Sequence, residues 1–458
     1  MKSQDPKNIL RSWEDSVDTV FHRFDRAASR LEIELPRRIP RPVLVGINRA
    51  LKLLESRFAI AYLVFFLLAS TRAIHWLNDP QFYIEDGKEF YLPAYTQGLQ
   101  SIAREYASYY HVVPRILSLI AAKLPLEYGP LTLELLALAV QASVSAFLLS
   151  RRMAKQLPSK LVRFALAFFI IADPNSNELF ANVTHSQWYL VILSLAILFS
   201  EAGRRSISQL GDGVLLFLTG LTGPFAPIMA IFGFSRLKHL RSRWPILVVT
   251  ILTALVTAVT MIQHPRNGIN EDASATRLFR LLANQILYGT NRGFHYAYHT
   301  VSPPTLNFRE FGCTIFAVAV IIGGLWRATS FVKALGWLGL YCLIASLVSQ
   351  ASWNLLGCPG VGERYFFILD IVYAYGLYAL SRRVRSALIR WCFRGLLAIM
   401  AIAMVQEWVY DPPFRRFEYA PQIARFNQLP PGYSIYIRTP IDRKSPHDFW
   451  ILEIPKKD

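Results

Sequence analysis

The sequence predicts an all-α polytopic membrane protein of about 10–11 transmembrane helices, with interfacial amphipathic helices and a small outer C-terminal segment. Three observations predict it. Of 458 residues, 53% are hydrophobic and only 17% charged, a balance too apolar for an ordinary soluble enzyme. The apolar residues are blocked into long runs. The basic residues sort to alternate loops between those runs.

Residues 1–57 read as a cytoplasmic amphipathic region. In "NILRSWEDSVDTVFHRFDRAASRLEIEL", Ile9, Trp13, Val17, Val20, Phe24 and Leu31 fall at helical spacing with charges between them. "PVLVGINRALKLLESRF" repeats the pattern. Both suit helices lying on the membrane face or packing on each other as a small cap. Neither has the apolar core and cleavage site of a signal peptide, so the first span is expected to stay as an anchor.

The transmembrane domain runs over 58–409, with apolar spans at 58–77, 129–150, 161–172, 187–200, 245–262, 311–326, 334–351, 365–381 and 395–409. The run "GVLLFLTGLTGPFAPIMAIFGF" (213–234) is interrupted by Gly220, Gly223 and Pro224 and has basic clusters on both sides. It reads as two half-helices meeting at a turn, which a membrane tolerates where protein or water satisfies the freed backbone. Residues 410–458 form a small periplasmic segment, in which "YSIYIRTP" and "DFWILEIP" alternate like a hairpin.

Orientation follows from charge. Loops 151–163, 201–212, 236–243, 327–333 and 382–394 hold 18 Lys and Arg against 2 acids, whereas 78–128, 173–187, 263–310 and 352–364 hold 10 against 12. The first set belongs in the cytoplasm and the second outside. The net charge of +18 is spread over these short clusters, which orients a membrane protein and forms no nucleic-acid-binding face. Cys313, Cys342, Cys358 and Cys392 have neither disulfide-framework nor metal-site spacing.

Nearly every chemically suggestive group then falls on the outer side. In the first outer loop, 78–128, "YIEDGKEFY" places Glu85 and Asp86 just past the first span, where partial desolvation makes a carboxylate a better proton acceptor. Gly87 allows a tight turn. The alternative is an exposed acidic loop balanced by Lys88. "YYHVVPRI" supplies Tyr110, His111 and Arg115, and "GERYFF" supplies Glu363, Arg364 and Tyr365. Arg115 and Arg364 are expected at headgroup depth, where a guanidinium grips phosphate bidentately. The alternatives are a headgroup contact for Arg115, and snorkelling or a Glu363 ion pair for Arg364. "ADPNSNELFANVTHSQW" gathers Asp173, Glu178, His185, Gln187 and Trp188, groups suited to sugar hydroxyls and to stacking on a sugar face. His111 and His185 lack partners at ligand spacing, so no metal site is assigned.

This layout resembles the C-type glycosyltransferase (GT-C) superfamily over roughly 58–410. "YIEDGKEFYLPAY" stands where that family carries its acidic motif, with Glu-Asp in place of the commoner Asp-Asp or Asp-Glu, and 97–124 matches its interfacial helices. The resemblance implies an inverting glycosyltransferase of the bacterial inner membrane. Its donor is a sugar on polyprenyl phosphate, its acceptor an envelope glycan or glycolipid, and its site periplasmic. Asp86 or Glu85 is then the base, while Arg115 and Arg364 stabilise the departing lipid phosphate. No cofactor is called for, although a divalent cation assisting the acids stays open. The competing class is a flippase or transporter of lipid-linked sugars. Transporters carry ionisable residues near mid-span, whereas the spans here read as nearly free of charge.

Overall fold

The computed structural model describes residues 41–83, 85–203, 205–240, 243–265, 272–294, 308–349, 352–357, 362–410, 417, 419–440 and 449–456. The amphipathic pattern over 9–31 lies outside the described residues. A helix occupies every expected span. In chain order these are α1 (Arg41–Ser56), α2 (Phe58–Arg72), α3 (Val112–Ala121), α4 (Gly129–Leu149), α5 (Lys160–Ala172) and α6 (Ser186–Phe199). There follow α7 (Ser206–Gly220), α8 (Ala226–Ser235), α9 (Trp244–Gln263), α10 (Ala275–Leu282), α11 (Phe308–Leu325) and α12 (Ser330–Ser349). The last are α13 (Phe367–Arg383), α14 (Ala387–Val409) and α15 (Tyr419–Gln428), before strands β1 (Ser434–Pro440) and β2 (Phe449–Pro455).

Among the described residues four helices are long and apolar enough to cross a membrane, those over Leu126–Leu149, Trp244–Gln263, Ser330–Ser349 and Ala387–Val409, and a fifth span is reached if α1 and α2 count as one bent pair. That is fewer than the hydropathy runs suggest. The cause is length: α5 has 13 residues, α6 14 and α8 10, against the ~20 that a straight crossing needs. The outward sides of α9 and α14 expose Leu252, Leu255, Val259, Ile399, Ile402 and Val405, an apolar surface suited to lipid. By contrast, α6 is buried along its whole length.

The 213–234 segment breaks as expected, between α7 and α8. Extended backbone at Arg57 (φ −124°, ψ 90°) ends α1, which turns 108° from α2. Inside the bundle, α11 and α13 approach until their backbones touch. A Cβ on Gly324 would lie 2.5 Å from Gly376 Cα, and one on Gly376 would lie 2.6 Å from the Val320 carbonyl, so only small residues fit this crossing.

The two loop sets separate to opposite ends. At one end Asp212 Oδ2 accepts from Arg152 (2.6 Å) and Arg243 (2.7 Å), Gln156 accepts from Phe331 N, and Arg383 donates to the Arg327 carbonyl. Glu55 of α1 pairs there with Arg163 at 3.4 Å. At the other end the acid-rich loops meet: Gly223 N donates to the Tyr110 carbonyl, Asn175 to the Gln285 carbonyl, and Trp353 N to Asp272.

The expected hairpin is present, β1 pairing antiparallel with β2 so that Ile435 faces Ile454 and Ile437 faces Leu452. Those four side chains are buried while Tyr436 and Ile451 face outward, the period of two of a half-buried ribbon. They form a second core with Phe82, Tyr91 and Val183. Gly87 serves this contact and not a turn: it lies in a continuous helical segment, and a Cβ there would stand 3.0 Å from Leu452.

Candidate functional site

The site is built around the loop that opens α6. A polar connecting loop is ordinarily exposed, because its backbone groups need water. Here every residue from 173 to 187 is buried. Side chains brought in from other loops take over the solvent's role. Asp86 is the clearest case. Only 3% exposed, it accepts from Val183 N (3.1 Å), from Thr184 N (2.8 Å) and from the Thr184 hydroxyl. Its carboxylate thus anchors the first outer loop to the turn before α6. Burial pushes its pKa up to about 7 in spite of these donors, whose bonds favour the charged form.

Glu85, its sequence neighbour, has a different environment. The residue is half-buried, its Oε1 lies 3.5 Å from the Tyr106 hydroxyl, and its Oε2, itself buried, has no partner among the described residues. Burial raises its pKa above the ordinary glutamate range, and the Arg364 charge beside it works in the opposite direction. The two carboxylates thus divide: Asp86 is saturated and Glu85 is not.

Arg364 sits at the entrance of α13 with its side chain 26% exposed. It does not pair with Glu363. Its guanidinium bonds Glu178, and its backbone N–H reaches the other Glu178 oxygen at 3.3 Å. Glu363 is fully buried and accepts from Glu178 N at 2.9 Å. His185 completes this group. Its Nδ1 lies 2.9 Å from Asn182 Oδ1, which assigns the proton to Nδ1 and turns the Nε2 lone pair toward Arg364 at 3.5 Å. Burial and then the Arg364 charge hold its pKa well below the usual histidine value.

Other expected site residues lie elsewhere. Arg115 is enclosed by protein and makes no open headgroup contact: it is 0% exposed, donates from Nη1 to the Glu89 carbonyl at 3.1 Å and lies over the Phe90 ring. Its Nε and Nη2 have no partner among the described residues. Tyr110 is half-buried, and His111 is buried against Tyr109 at 4.7 Å. Asp173 is fully buried, its Oδ1 accepting from Asn175 N at 3.0 Å. Gln187 is buried too. Trp188 packs edge-on between Phe225 (5.0 Å) and the buried Tyr365 (5.2 Å), so its faces belong to the core and are not open for a sugar to stack on. Glu85, Arg364, Tyr106 and Tyr110 keep accessible surface.

Arg72, Glu134, Asp370 and Glu407 were not picked out by sequence pattern, whereas the loop residues Asn175 and Asn177 that two of them meet belong to the polar run singled out above. Arg72 donates to the carbonyls of Ile171 (2.7 Å) and Asp173 (3.1 Å), Asn175 to Asp370 (3.1 Å), and Asn177 to Glu407 (2.8 Å). Glu134 is 4% exposed. The spans are therefore not free of charge, although Asp370 and Glu407 lie within two turns of a helix end, where they meet the acid-rich loops. The signal was a lone acid inside an apolar run, as in "LTLELLALAV", "FILDIVYAY" and "AMVQEWV".

Among the described residues no group of three or more His, Cys, Asp and Glu is placed to hold a metal. An open groove of about 420 Å³ lies between the first outer loop and the hairpin, lined by Lys88, Glu89, Arg104, Glu453 and others. Glu85, Asp86 and Arg364 do not line it, so it is separate from this site. No family model matches the sequence, and neither the curated proteins nor the solved structures contain a match.

Proposed function

We propose that the protein is an inverting membrane glycosyltransferase that transfers a sugar from a polyprenyl-phosphate donor to an envelope glycan or lipid acceptor. The observation that carries this reading is the bare carboxylate oxygen of Glu85 beside the part-exposed Arg364. Glu85 takes the proton of the acceptor hydroxyl as that oxygen attacks the anomeric carbon. The bond from that carbon to the phosphate oxygen breaks, and the electron pair leaves with the lipid phosphate. Arg364 meets the departing charge. Arg115, with two guanidinium nitrogens unengaged, is the second cation available to it. Asp86 holds the loop that carries Glu85.

The positive-inside rule places the Asp212–Arg243 end in the cytoplasm and the Glu85 end outside, at the periplasmic face of a bacterial inner membrane. About 10–11 crossings follow when the short helices are counted, α6 crossing inside a sheath of protein. The test uses purified full-length protein in vesicles with the donor already in the outer leaflet. Adding acceptors from a panel of glycans and glycolipids should release polyprenyl phosphate. A second reading, transport of a lipid-linked sugar, draws on the buried acids Glu134, Asp370 and Glu407 in the helices. A transporter releases no lipid phosphate there, and silence across the panel would favour it.

A further inference from the structure

Beneath the proposed transfer site lies a second polar cluster that the transfer reading does not use. Asn175 holds two carboxylates at once: its backbone N–H donates to Asp173 Oδ1 at 3.0 Å, and its side-chain amide donates to Asp370 Oδ2 at 3.1 Å. Both acids are 0% exposed. The remaining oxygen of each, Asp173 Oδ2 and Asp370 Oδ1, is buried with no partner among the described residues. Thr290, also 0% exposed, stands beside Asp370 with its hydroxyl toward that carboxylate but outside regular hydrogen-bond geometry. Two carboxyl oxygens and a hydroxyl are thus left without a regular hydrogen bond in the same interior. The cluster's guanidinium, Arg72, spends its hydrogen bonds on the Ile171 and Asp173 carbonyls and on Ser176, so its charge acts on the Asp173 carboxylate without bonding it. Burying bare carboxylate oxygens is costly unless a positive group meets them.

We propose that Asp173, Asp370 and Thr290 bind one monovalent hard cation of the Na⁺ class. Oxygen donors select hard cations. Two carboxylates, each already sharing one oxygen with Asn175, with a neutral hydroxyl as the third donor, suit a single charge better than a divalent ion. The site locks the start of the buried 173–187 loop to α13, so its occupancy is a property of the fold. It goes beyond the transfer reading and does not rest on it.

Thermal unfolding of the detergent-solubilised full-length chain tests this at fixed pH and fixed chloride, with NaCl or KCl replacing N-methylglucamine chloride. The midpoint should climb with NaCl or KCl and level off, by about 2–5 °C in all. Asp370→Asn should abolish the climb. If that variant does not fold, Thr290→Val, which removes one neutral donor and keeps the shape, should move the half-saturating concentration upward about tenfold or leave no saturation. A midpoint indifferent to the cation would overturn the proposal, as would a variant responding like the wild type. With the series repeated at a second pH, a midpoint that follows pH and ignores the cation at both would overturn it too, since the acids would then share a proton instead.

Discussion

The two ends of the helical bundle are both held by buried charge, yet they are built differently. At the basic end charges are matched: Asp212 receives Arg152 and Arg243, and Glu55 receives Arg163. At the acid-rich end Glu178 bonds Arg364, Asp173, Glu363 and Glu407 lie in the field of Arg72, and oxygens of Glu85, Asp173 and Asp370 have no partner among the described residues. The lesson lies in what each arrangement can still do. Glu55 Oε2 and Arg243 Nε make no hydrogen bond among the described residues, but each belongs to an opposite-charge pair, and Asp212 has both oxygens bonded, so this cluster fixes loops relative to one another. A cluster with bare oxygens beside a part-exposed guanidinium retains the capacity to take a proton or hold a ligand.

Removing the centre of the saturated cluster should break this contrast most severely. Asp212→Ala leaves two guanidinium groups facing each other, and should cost about 3–5 kcal/mol of stability, read as a lowered unfolding midpoint. Turnover per folded molecule should not change. A folded but inactive variant would mean that the basic end takes part in the chemistry.

At the acid-rich end, Arg115→Met keeps the packing on Phe90 and removes the charge. Donor affinity should fall by about 1.5–3 kcal/mol, the range of a charge-assisted contact, measured by titrating polyprenyl-phosphate sugar in detergent. Unchanged affinity would assign Arg115 to scaffolding, with Arg364 the only cation on the phosphate. A smaller loss is expected for Thr184→Val, which deletes one of three donors to Asp86: about 0.5–1.5 kcal/mol of stability with turnover retained. A large fall in turnover at unchanged stability would instead give Asp86 a direct chemical role.

The mildest test is pH. Glu85 acts as a base only when deprotonated, and burial holds its pKa above the ordinary glutamate range. Turnover at low substrate should therefore rise with pH, with the midpoint of its acid limb above about 4.5. An acid limb at or below the ordinary value would show that the working carboxylate is solvated.

Much of this contrast was legible in the sequence. Helices stand where the apolar runs stand, because a run of that length can satisfy its backbone in lipid only as a helix. The segregation of loops followed from counting Lys and Arg. Two things were not legible. A loop as polar as "ADPNSNELFANVTHSQW" reads as exposed, and nothing local reveals that Asp86, Glu363, Asp370 and Glu407 arrive from distant segments to satisfy it. Nor could Glu85 be told from Asp86. They are adjacent, and what separates them is a pair of backbone donors nearly a hundred residues away.

That separation is the central claim, and turnover by Glu85→Gln and Asp86→Asn, compared per folded molecule, tests it most directly. Glu85→Gln should unfold at the wild-type temperature but lose about 10²–10⁴-fold in polyprenyl-phosphate release. Asp86→Asn should unfold at a lower temperature, its amide meeting donors with a donor, while each folded molecule keeps most of its turnover. A well-folded but inactive Asp86→Asn beside an active Glu85→Gln would make Asp86 the base and Glu85 the bystander.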